Sequence, residues 1–235
     1  MIKNILFDLD GTLLPMDEEK FTKAYFSLLV KKVAPLGYEP QKLIDTVWKG
    51  TAAMVKNDGT VTNEEAFWRV FGKVYGEKGL SDKPIFDEFY QNEFWGAKEV
   101  CGFNQKAAKT VEKLKKAGFK LLLATNPIFP AVATESRIKW AGINKEDFLI
   151  RTTYENSHYC KPNLNYYKEI LEKTSLNARE CIMVGNNTAE DMVTERLGMK
   201  VFLITDCLIN KTGEDIKKYP HGDFDALLSY IEKNR

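Results

Sequence analysis

The stretch Ile5-Leu6-Phe7-Asp8-Leu9-Asp10-Gly11-Thr12 begins with three apolar residues and breaks into two acids, a glycine and a hydroxyl. An apolar run this short, ended so sharply, fits a strand buried on both faces of a sheet. The same signature returns downstream. Phe119 to Ala124, Phe148 to Arg151, Cys181 to Val184 and Val201 to Ile204 read as short buried strands. Helical patterns lie between them. Ala107, Val111 and Leu114 mark one, with Asn104 as its candidate cap and Gly118 at its end. Others cover Ala131 to Ala141, the face Leu164, Tyr167, Ile170 and Leu171, Ala189 to Leu197 with Gly198 as the stop, and roughly Asp223 to Lys233. Strands alternating with helices at this spacing predict an α/β fold: a doubly wound parallel sheet with helices on both faces.

From Pro15 to about Trp95 the pattern changes. Phe21, Ala24, Tyr25 and Leu28 recur at helical spacing, as do Ala66, Phe67, Val70 and Phe71. Gly and Pro punctuate this stretch, and few segments look like strands. Residues 15–96 are expected to form a helical insert, leaving 1–14 and 97–235 as the sheet-bearing core. Its aromatics, Trp48, Trp68, Phe89, Tyr90, Phe94 and Trp95, are expected to pack the insert rather than roof a ligand.

Ligands of open parallel sheets sit outside the carboxyl ends of the strands. The residues there are Asp8-Leu9-Asp10-Gly11-Thr12, Thr125-Asn126, Lys161-Pro162 and the run Gly185 to Asp191. Asp8 and Asp10 stand two apart, so extended chain puts both carboxylates on one side. Their mutual repulsion raises one pKa unless a cation sits between them. A hard divalent ion with oxygen ligands resolves this, and Mg2+ suits a site that also holds phosphate. A carboxylate can attack phosphorus. A fixed ammonium can offset charge, and a second carboxyl can protonate the leaving oxygen and then activate water. Asp8, Lys161 and Asp10 fit those jobs. Gly11 lets the backbone turn tightly, so that the loop presents N–H groups to a phosphate.

At this point the chain resembles the haloacid dehalogenase-like (HAD) hydrolase superfamily. Asp8-Leu9-Asp10-Gly11-Thr12-Leu13 is similar to its first motif, and Thr125, Lys161-Pro162 and Gly185 to Asp191 to its second, third and fourth, in the family's order. The resemblance implies a Rossmann-like core and places residues 15–96 where a helical C1 cap belongs. It implies Mg2+-dependent phosphohydrolysis of a small phosphorylated metabolite through an aspartyl-phosphate. Asp8 would be nucleophile and metal ligand, and Asp10 the acid/base with its backbone carbonyl on the metal. Gly11, Thr125, Asn126 and Lys161 would hold the phosphoryl group, and Asn186 and Asp191 would complete the metal site. One departure stands out: the family usually has Gly-Asp where this chain has Gly185-Asn186. An amide offers Mg2+ an oxygen without charge, so weaker metal affinity is expected unless Glu190 or Asp191 compensates. A phosphomutase of the same family is the nearest alternative; a phospho-ligand binding protein, supported by Asn186, is another. A dehalogenase is disfavoured, because that reaction needs no metal and such enzymes normally lack an acid at the Asp10 position.

Composition narrows the field further. Lys and Arg total 34 against 33 Asp and Glu, a net charge of +1 that leaves no electrostatic footprint for nucleic acid or an anionic membrane. The four cysteines show no CxxC spacing, which argues against zinc, and they are expected to be free thiols in a reducing cytoplasm. The apolar opening is too short for an export signal. A monomer or small homo-oligomer is expected. His158 could face a substrate or lie on the surface. Thr188-Ala189-Glu190-Asp191 resembles a capping box, which is compatible with the metal role favoured for Asp191, and Asn187 reads as a turn or cap residue.

Overall fold

The computed structural model describes residues 1–235. Five strands form one parallel sheet: β1 (Asn4–Phe7), β2 (Lys120–Leu123), β3 (Cys181–Gly185), β4 (Lys200–Ile204) and β5 (His221–Gly222), in the order β2-β1-β3-β4-β5. The period of two in the strands sends alternate side chains to opposite faces. On one face Ile5, Phe7, Leu121, Leu123, Ile182 and Val184 pack in a single apolar cluster with Val111 of α5 (Gln105–Lys116), Ile138 of α6 (Ala131–Trp140) and Leu227 of α8 (Phe224–Lys233). On the other, Leu6, Leu122, Met183 and Val201 meet Tyr166, Tyr167 and Ile170 of α7 (Leu164–Thr174). The doubly wound α/β expectation holds. From β1 the chain adds β2 on one side and later β3 on the other. That reversal leaves a crevice at the carboxyl end of β1.

Between β1 and β2 the chain is helical: α1 (Glu18–Val33), α2 (Pro40–Val55), α3 (Asn63–Ser81), α4 (Lys83–Gln91) and a 3-10 segment, Glu93–Val100. Asp17 caps α1 through the N–H groups of Glu19 and Lys20. Thr62 and Glu65 form a reciprocal capping box at the start of α3. The aromatic residues interlock edge to face, as Phe71 does with Trp68 and Phe86. Entry and exit of this helical stretch lie side by side. Met16 bridges Cys101 antiparallel, and the Gly102 N–H donates to the Pro15 carbonyl at 2.8 Å. No helix is long and apolar enough to cross a membrane. All four cysteines are free thiols.

Two local expectations need correction, and one strand was not expected. Phe148 to Arg151 is no strand. It runs along the outer edge of β2, with Leu149 N–H donating to Leu121 O and Leu123 N–H to Ile150 O, yet it makes just one bridge, Leu123 with Arg151. The helix expected over Ala189 to Leu197 narrows to a 3-10 segment, Met192–Leu197, closed by Gly198 at φ +82. The reason is competition for carbonyls: the Tyr167 hydroxyl takes Glu190 O, and Thr194 bonds Asp191 O by both its N–H and its hydroxyl. The two-residue β5 went unforeseen, because Pro220-His221-Gly222 carries no apolar run.

Candidate active site

The site starts where β1 stops. Asp8 N–H still donates to Val184 O, at 2.9 Å, so Asp8 leaves the sheet in register with β3. The chain then folds back on itself. Leu9 O accepts from the N–H groups of Thr12 and Leu14, and Gly11 N–H donates to Leu14 O. Gly11 sits at φ +80, and a Cβ there would meet Asn186 Nδ2 at 2.2 Å. Both facts demand glycine. The Gly11 N–H itself is therefore committed. Within this turn the N–H groups of Leu9, Asp10 and Leu13 have no acceptor in the chain, and nor does that of Asn126 after β2.

Asp8 is held on two sides. Its Oδ1 accepts from Lys161 Nζ at 2.8 Å, and its Oδ2 lies 3.0 Å from the Thr12 hydroxyl. Lys161 Nζ also meets Asp191 Oδ1 at 2.7 Å, and Asp191 Oδ2 accepts the Asn187 N–H at 3.0 Å. Burial works against the Lys161 charge, but Asp191 and Asp8 outweigh it and hold the ammonium well above its ordinary range. Thr125 is positioned from behind: Thr152 and Tyr166 both donate hydroxyl bonds of 2.7 Å to its carbonyl, and the residue lines the crevice. Asn187 is a cap, accepting from Ala189 and Glu190 N–H. The reciprocal box expected between Thr188 and Asp191 is absent from the bonds made: Thr188 donates to Asn210 instead. His158 pairs with Glu169 at 2.6 Å and does not line the crevice.

Asp10 carries a partner that motif reasoning missed. Arg137 of α6 reaches across to its carboxylate, and the guanidinium lies over the Phe129 ring at 4.6 Å. Burial lifts the Asp10 pKa; Arg137 pulls it down and Asp8 pushes it up. A signal was present in the sequence. Ala133, Arg137, Trp140 and Ala141 share one helical face, so an arginine interrupts an apolar stripe. Thr12 stands within the first motif, whose pattern alone assigns its hydroxyl no role.

The donor set can be tested for a metal. The Thr12 hydroxyl lies between Asp8 Oδ2 and, at 3.2 Å, Asn186 Oδ1, and its one proton cannot serve both. Asp10 Oδ1 and Asn126 Oδ1 are buried without partners. The carboxylates of Asp8, Asp10, Glu190 and Asp191 outnumber the cations Lys161 and Arg137. Burial raises Glu190 to about 7 and Asp191 to about 6. Hard oxygen donors with a surplus of negative charge fit Mg2+, which binds through one or two carboxylates and keeps several waters. No three Asp, Glu, His or Cys side chains gather as a metal cage, so amide, main-chain and water oxygens would share the load.

Carboxylate, hydroxyl, amide and ammonium thus converge at the switch point of an α/β sheet, where ligands of such folds bind. The haloacid dehalogenase-like hydrolase family model matches residues 2–194, and the chain belongs to that family. It is 25% identical over 209 residues to a phosphoglycolate phosphatase of Vibrio parahaemolyticus, covering 87% of this chain and 84% of that one. The solved structures it resembles include a HAD phosphatase from Thermococcus onnurineus, at 19% identity, TM-score 0.58 and 98% of each chain. A 2-haloacid dehalogenase from Pseudomonas syringae superposes at 18% identity, TM-score 0.66 and 100% of each chain. At these identities the superpositions speak for the fold alone.

Proposed function

We propose that this phosphatase is a Mg2+-dependent phosphomonoesterase in which Asp8 takes the phosphoryl group from a small metabolite. The observation that carries the reading is the placement of Asp8: its carboxylate is pinned between Lys161 and Thr12, with Asp10 on the same rim. An Asp8 oxygen forms the new bond to phosphorus as the ester oxygen leaves. The free N–H groups of Leu9, Asp10 and Asn126, the Thr125 hydroxyl and Lys161 hold the phosphoryl oxygens. Asp10, lifted by burial and steadied by Arg137, gives its proton to the departing alkoxide. It then takes a proton from the water that attacks the aspartyl-phosphate, which frees Asp8 and inorganic phosphate. Asp8, the Asp10 carbonyl and Asn186 would hold Mg2+, with Asp191 supporting through Lys161. When bound, the ion offsets the charge of carboxylate and phosphate. Residues 15–96 serve as the cap that keeps water from the first step. The relative from Vibrio makes phosphoglycolate one candidate substrate.

The test is phosphate release from p-nitrophenyl phosphate with Mg2+, with EDTA, and with Asp8→Asn. Turnover is expected in the first case and absent from the other two. Turnover that survives Asp8→Asn sinks the nucleophile assignment. Label returned to the organic product without net phosphate would indicate a mutase, and no turnover at high Mg2+ a binding protein.

A further inference from the structure

The geometry points to a substrate whose alcohol portion is uncharged and mainly apolar. This rests on the phosphomonoesterase reading and narrows it. The crevice above Asp8 encloses about 330 Å³. Its sheet-end wall is polar. The rest comes from the helical insert and the loop after β2, and there Phe26, Trp48, Phe67, Trp68, Tyr90 and Phe129 dominate. The sequence-based expectation that the insert aromatics merely pack it holds for Phe89 and Phe94, which are fully buried, but Trp48, Trp68 and Tyr90 face the cavity.

Charge decides what such a cavity accepts. No lysine, arginine or histidine lines it. The two cations nearest the chemistry are taken: Lys161 by Asp8 and Asp191, Arg137 by Asp10, and each is 1% exposed. Glu18 and Glu190 stand in the wall. A carboxylate or second phosphate on the leaving group would lose its water, find no counter-ion and face two acids. The insert's hydroxyls ask for little. Tyr25 and Tyr90 bond each other at 2.9 Å, and Thr51 donates to Val47 O at 3.0 Å. Trp48 packs against Phe26 at 5.6 Å between ring centroids, yet remains 50% exposed, so an apolar occupant would cover it. Phosphoglycolate, with a bare carboxylate beyond its phosphate, suits this wall poorly.

Benzyl phosphate and phosphoglycolate make the test, since both release an aliphatic alkoxide. Phosphate release with Mg2+ is measured for each, and binding of each to Asp8→Asn by calorimetry. The expected kcat/KM favours benzyl phosphate by about 10- to 100-fold, the range an apolar pocket can deliver. Its affinity for Asp8→Asn should lead by a similar factor. Thr51→Lys, which puts an ammonium into the apolar wall, should shrink or invert the preference. Trp48→Lys, at a half-exposed position, serves if that variant does not fold. Equal or reversed preference in the unmodified chain overturns the inference, as does a lysine variant that binds phosphoglycolate no better. If neither ester is hydrolysed, the phosphomonoesterase reading is judged separately, by the p-nitrophenyl phosphate assay. The binding ratio on Asp8→Asn then still decides: a lead for benzyl phosphate upholds the apolar site, and none overturns it.

Discussion

Arg137 and Asn186 both bear on the acid pair at the end of β1, and each can be removed cleanly. Arg137 is buried and Asp10 is 28% exposed, so Arg137→Met strands a carboxylate that still has some access to water. The expected cost is about 3 kcal/mol, the low end for breaking a buried pair. Activity should fall with kcat rather than KM, because Asp10 loses its aim and not the substrate. Urea unfolding of Arg137→Met, Asp10→Asn and the double variant checks this: the double variant should recover stability, since no lone charge remains. In the proposed metal site Asn186 would supply an uncharged oxygen where a carboxylate would bind Mg2+ more firmly. Asn186→Asp should lower half-saturating Mg2+ in the p-nitrophenyl phosphate assay. An unchanged titration would remove Asn186 from the metal site. The surroundings of the proposed nucleophile were largely legible in the sequence, because Asp8, Thr125, Lys161 and Asn186 each follow a buried strand or stand at a fixed motif. Arg137 was legible only as an arginine on an apolar helical face; its partner, 127 positions away, was not.

At the scale of elements, legibility followed burial. β1 and β3 are buried along their whole length, so a bare apolar run identified them. β5 and the segment beside β2 have one neighbouring strand each, and their sequences are correspondingly ambiguous. The cap of α5 was read correctly at Asn104, whose side chain accepts the Lys106 N–H. Side chains binding from other elements were the blind spot, as Tyr167 was for the turn at Glu190. The box at the start of α3 offers a direct measure of local capping. Thr62→Ala removes the acceptor for Glu65 N–H and should cost about 1 kcal/mol. Denaturant midpoints of the two proteins check it, and an effect near zero would mean that the Glu64 N–H bond to Tyr154 O and the Asn63 contacts already fix that terminus.

For the molecule as a whole, the apolar packing ignores the division between insert and sheet. Phe71 and Tyr38 belong to the same buried cluster as Phe7 and Val184, and Phe94 stacks on Trp140 at 5.1 Å. A helical stretch tied in this way should not melt by itself. Calorimetry is expected to show one transition, with van't Hoff and calorimetric enthalpies in agreement. Two resolved transitions would show that the shared cluster does not couple them.

Because Met16 and Cys101 touch, the sheet meets the eighty-odd residues between them as if they were a tight turn. Ring-closure entropy grows only logarithmically with the length enclosed, so a change of length beyond that clasp costs the strands below little by itself, provided a replacement keeps the shared apolar contacts such as Phe94 on Trp140. Successive grafts at one splice point could thus renew the upper wall of the cavity, and with it the menu of esters admitted, while the acid at the strand tip stays where it is.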